Sequence, residues 1–145
     1  MMNTELLNAF ISAASACAHE MMENGLFIEQ ELFANKISDG YISVLSEAYS
    51  GIVGTKFDII NELGELEEVA ARPQSAEVQN RVNRIVGLIT DELWSLHAVV
   101  KNLEAASETD HMAQSAYMLV AESAVNIVHK FENVKKAAKD CREAH

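Results

Sequence analysis

Apolar residues along this 145-residue chain recur at intervals of three and four, the spacing that lines one side of an α-helix. Leu6, Phe10, Ala14, Cys17 and Met21 carry the rhythm first, with Leu7, Ile11 and Ala18 widening the face, and predict a helix from about Thr4 to Asn24. Gly25 reads as a left-handed stop after it, with Leu26 placed for the contact such stops make. A second helical region covers about Ile28 to Ser50, and its register changes from an Ile28/Leu32 stripe to one through Ile37, Tyr41, Val44, Ala48 and Ile52. Asp39-Gly40 lies near that change and predicts a kink or break. Gly51 to Gly54 reads as a short connection. Thr55 with Asp58 then resembles a capping box, opening a third helix that buries Ile59, Ile60, Leu63, Leu66 and Ala70 and ends at Arg72-Pro73.

Two longer stripes follow. Ser75 is a candidate N-cap for a helix over about 76–103, where Val78, Val82, Ile85, Ile89, Leu93, Leu96, Val100 and Leu103 hold the spacing. Ser107 with Asp110 offers a cap for a helix over about 108–141, striped by Met112, Ala116, Val120, Ser123, Ile127, Phe131, Val134, Ala138 and Cys141. One proline and six glycines leave little turn chemistry for strands. The pattern predicts an all-α bundle of about five helices, in one domain spanning 1–145. Two rods about 40–50 Å long would outrun their shorter neighbours, so part of a stripe would be covered by a second copy in a dimeric bundle.

Charge sharpens this picture. Residues 1–71 hold twelve acids against Lys36 and Lys56, a net −10, whereas residues 72–145 hold ten acids against nine bases, a net −1. Direct nucleic-acid binding needs a basic face to displace phosphate counterions, and anionic membrane is disfavoured for the same reason. A basic protein surface is the natural partner for the acidic half. No apolar run reaches the roughly 20 residues that span a bilayer. Ala14-Ser15-Ala16-Cys17 loosely resembles a lipoprotein cleavage box, but Glu5 stands where a basic leader would begin, and a cytoplasmic location is expected. Cys17 and Cys141 fall on apolar stripes and read as small buried hydrophobic residues; a disulfide would need the first and last helices to meet at the right height.

The chemistry-bearing candidates are few. Asp58, Glu62, Glu65 and Glu68 form an acidic stripe for an interaction surface. Glu62 and Glu65, three apart on a helix, could also share a Mg²⁺ ion. Glu62-Leu63-Gly64-Glu65 resembles the ExxE motif of the all-α nucleoside triphosphate pyrophosphohydrolases, the MazG-like family. That family completes its metal site with ExxD on a later helix; the resemblance implies Asp91 as the last acid, with Leu88 where the family has glutamate. Glu92 stands within an apolar stripe, either buried with a raised pKa or at an edge with its head in water. Glu108 with His111 has the ExxH spacing of di-iron bundles, in a single copy at a helix start. His97 with Lys101 faintly echoes histidine phosphotransfer domains, whose lysine sits three residues on. No nucleophile is paired with a base and no phosphate-binding glycine loop occurs. The expected function is protein–protein interaction without catalysis, as an inhibitor or adaptor on a basic, nucleic-acid-binding surface. A MazG-like pyrophosphohydrolase and a structural or assembly component are the alternatives.

Overall fold

The structure, a computed structural model, describes residues 4–71 and 75–143 and consists of helices joined by short connections, with no strand among those residues. There are four long helices rather than five: α1 (Thr4–Phe33), α2 (Asp39–Val69), α3 (Ala76–Ser107) and α4 (Gln114–Glu143). Each packs against its neighbours in sequence, and α1 closes the ring against α4, so the chain runs up and down around one core. Leu7, Phe10 and Met21 of α1, Leu45, Ile52 and Leu66 of α2, Ile85, Ile89 and Leu96 of α3, and Val120, Ile127 and Val134 of α4 lie in that core. Fully burying such a side chain stabilises the fold by about 1.5–3 kcal/mol.

The break expected near Asp39-Gly40 occurs, between the end of α1 at Phe33 and the start of α2 at Asp39, but those expected at Gly25 and at Gly51 to Gly54 do not. α1 runs straight through Gly25, which lies where α1 approaches α2; a methyl group there would come within 2.8 Å of Val53 Cγ2. This glycine admits a neighbouring helix instead of ending its own. The stop lies ten residues on, at Asn35, the residue with positive φ (59°) among those described that are not glycine. Its backbone N–H donates to Leu32 O and that of Lys36 to Glu31 O, closing the end of α1 with asparagine in the place glycine usually takes. α2 then begins at Asp39 and continues through Gly51 and Gly54, so the expected connection is helix. Thr55 is accordingly mid-helix and caps nothing. Ile60, expected inside, is exposed on the outer side of α2. The predicted stop at Arg72-Pro73 lies outside the described residues.

Ser75 does cap α3, its side chain accepting from Val78 N–H at 3.3 Å. At the far end Ser107 remains part of α3 and donates its hydroxyl to Glu104 O. The cap belongs to Asp110, which accepts from Met112 N–H at 3.0 Å and opens one turn of 3₁₀ helix, His111–Ala113, before α4. Tyr41 donates to the other Asp110 oxygen at 2.7 Å, tying this connection to the start of α2. All four helices have 30–32 residues. The mismatch in length that suggested a second copy is therefore absent.

Candidate functional site

The acidic stripe on α2 is divided in the folded chain. Glu62 turns inward and is only 8% exposed, with Oε2 3.0 Å from Arg81 Nη1 and Oε1 3.0 Å from Arg84 Nε. Arg81 also reaches Glu65, so two arginines one turn apart on α3 clamp two carboxylates of α2. A carboxylate leaving water at a helix interface needs such partners. The hydrogen bond that Arg81 donates to Glu62, with the charge of Glu65, raises the Arg81 pKa against the effect of burial. Asp58 and Glu68 remain exposed, as do Asp39, Glu47 and Glu67. Of the residues matched to the MazG-like metal site, then, Glu62 and Glu65 are held by guanidinium groups and Asp91 lies on the exposed side of α3. Among the described residues no group of three histidine, cysteine, aspartate or glutamate side chains is placed to hold a metal ion.

Because α1 and α2 are neighbours, the twelve acids of residues 1–71 fall on one two-helix layer and its connection. Few cations face them. Lys36 pairs with Glu31 at 3.8 Å, and Lys56 lies over the Phe57 ring, 4.1 Å from its centroid. Arg81 and Arg84 are the cations that α3 lends to this layer among the described residues.

Glu92 settles between the two readings of it. Its carboxylate is half-buried against α2 at Gly51, where a methyl group would come within 2.8 Å of Oε1. Thr55, the residue read as a cap, donates its hydroxyl to Oε2 at 3.4 Å. Loss of water pushes the Glu92 pKa up to about 7, against the opposing effect of the Thr55 bond. Glu47, Gly51, Ser95 and Val99 help line the crevice beside it, about 210 Å³ in volume.

On the opposite layer, the outer sides of α3 and α4 enclose an apolar groove. Two adjoining hollows of about 340 and 310 Å³ share Leu93, His97 and Val128. Trp94 stands at the edge, 69% exposed, with its ring edge-on to His97 at 6.3 Å. Val125 beside it is 66% exposed. Glu132 and Lys135 form one rim and pair at 3.0 Å. The stripe spacing missed this groove, because Trp94, Val125 and Val128 lie off the core register. Apolar residues at those extra positions on two adjacent helices were the available signal.

The remaining candidates stay apart. Glu108 and His111 are exposed in the connection between α3 and α4, and His97 and Lys101 are exposed on α3. His19 Nε2 lies 2.8 Å from Glu23 Oε1 at the surface. Cys17 and Cys141 are free and buried. Cys141 Sγ lies 3.5 Å from Leu6 O, near the start of α1, whereas Cys17 lies about 16 Å further along that helix, which sets the two thiols at different heights. Burial and then the charge of Glu20 push the Cys17 thiol up to about 12, so it packs as a neutral hydrophobic group. Comparison with protein-family models, curated proteins and solved structures gives no match to this chain.

Proposed function

We propose that this chain is a non-catalytic binding protein, which uses exposed carboxylates of its α1–α2 layer to engage a basic surface on another protein. A surface that otherwise meets nucleic acid has the required chemistry, and the chain then acts there as an inhibitor or adaptor. The observation that carries the reading is the division of charge: residues 1–71 hold a net −10 and the rest a net −1. Of the four carboxylates expected to make the contact, Asp58 and Glu68 keep that role. Glu62 and Glu65 are engaged with Arg81 and Arg84 and serve to fix α2 against α3. Complementary fields of this kind speed encounter and select partners, and salt weakens them. The free, buried thiols fit a cytoplasmic setting.

The test begins with crosslinking in the native cell to recover a basic partner. Binding is then titrated at low and high salt, for the wild type and for Asp58→Lys with Glu68→Lys. Affinity should drop steeply with salt, and by about tenfold or more in the double variant. Affinity indifferent to both would remove the electrostatic reading.

A further inference from the structure

The groove between α3 and α4 belongs to none of the chemistry above, and we propose that it is the contact face of a homodimer, with Trp94 of each copy seated in the groove of the other. A two-fold interface must be self-complementary, presenting both a projection and a recess. This face has both: an indole largely in water, next to hollows of about 340 and 310 Å³ lined by Leu93, Val100, Val125 and Val128. Its charges also match a second copy. The rim carries one acid and one base, Glu132 and Lys135, so each copy offers the complement of the other. Residues 72–145 carry ten acids against nine bases, so this half of the chain has little net charge to draw a strongly acidic or strongly basic partner.

The rest of the molecule favours the same occupant. The strongly acidic α1–α2 layer lies on the far side of the bundle, so copies joined back to back hold their negative layers apart. The groove runs about 21 Å along α4, within an outer α3–α4 face of roughly 900 Å² that bounds what a second copy can cover; a standard stable interface takes roughly 800 Å² per partner. Tryptophan is among the residue types that most often dominate binding energy at such contacts. The dimer would present two acidic layers facing outward, one to each partner molecule. It stands apart from the proposed binding role, since that role uses the opposite layer.

Trp94 is the sole tryptophan, so its fluorescence reports directly on this face. Light scattering and emission spectra across low to high micromolar concentration should show a dimer mass and, in parallel, a blue shift as the indole leaves water. Trp94→Ala and Val125→Glu, both at exposed positions, should keep the helical circular dichroism and weaken dimerisation at least about tenfold. Phe57→Ala, at an exposed position of α2, should leave the dimer intact. A monomeric mass at high micromolar concentration would overturn the proposal. So would a dimer that persists in both groove variants, or one that forms without a change in Trp94 emission. None of these outcomes touches the salt-dependent binding expected of Asp58 and Glu68.

Discussion

At the scale of single residues, Glu92 is the group whose ionisation the fold alters most usefully. Its carboxyl is held at about 7 in the folded chain, against about 4.5 when solvated, chiefly because α2 strips water from it. The folded state therefore binds the proton more tightly than the unfolded one. Between about pH 4.5 and 7 the unfolded chain loses this proton first, so stability falls as pH rises through that window. Above it the folded chain carries a partly desolvated charge. Glu92→Gln should abolish this slope and, at pH 8, raise the unfolding free energy by on the order of 1–2 kcal/mol, a figure reduced for the water that still reaches the carboxylate. Urea unfolding across pH checks it. An unchanged slope would mean that the carboxylate is fully hydrated.

At the scale of the helices, glycine has two separate uses here. Gly25 faces Val53, whose branched side chain cannot turn away from an added methyl group. Gly25→Ala gains about 1 kcal/mol of helix propensity and meets about 1–3 kcal/mol of overpacking, so a net loss is expected. Gly54 and Gly64 face open space on the exposed side of α2, and alanine at each should stabilise by about 0.8–1 kcal/mol. Thermal melts of the three variants should therefore separate by sign, with Gly25→Ala alone below the wild type. The same distinction explains what the sequence made legible. The stripes of α3 and α4 are regular because burial repeats every turn, and they predicted core residues such as Val82, Ile89, Ile127 and Val134. Helix ends were harder to read, because a glycine that lets two helices approach looks the same in sequence as one that ends a helix. Asn35 ended α1 instead, in a conformation that asparagine tolerates and that local pattern does not announce. The acidic stripe was legible as a stripe. Its partition was not, since Arg81 and Arg84 lie nineteen or more positions from Glu62 in sequence and meet it only through the packing of α2 on α3.

At the scale of the whole molecule, charge is distributed against stability. Residues 1–71 hold twelve acids and two lysines within two adjacent helices and their connection, and Arg81 and Arg84 offset part of that excess from α3. Charges such as Asp39, Glu47 and Asp58 stand exposed without a cation within 4 Å among the described residues, and their repulsion must be overcome by the core. A surface shaped by folding alone would intersperse the two signs. The imbalance is what a binding layer for a basic partner would retain at some expense in stability. Repulsion of this kind is screened beyond about 10 Å at 0.1 M salt, so the melting temperature should rise as monovalent salt is raised from low millimolar to a few hundred millimolar. Glu47→Lys with Asp58→Lys should raise it at low salt and flatten the salt dependence, while the same change should weaken the partner interaction proposed above. Melting temperatures that fall with salt would show instead that favourable ion pairs, such as those of Glu62 with its two arginines, outweigh the repulsion across the layer.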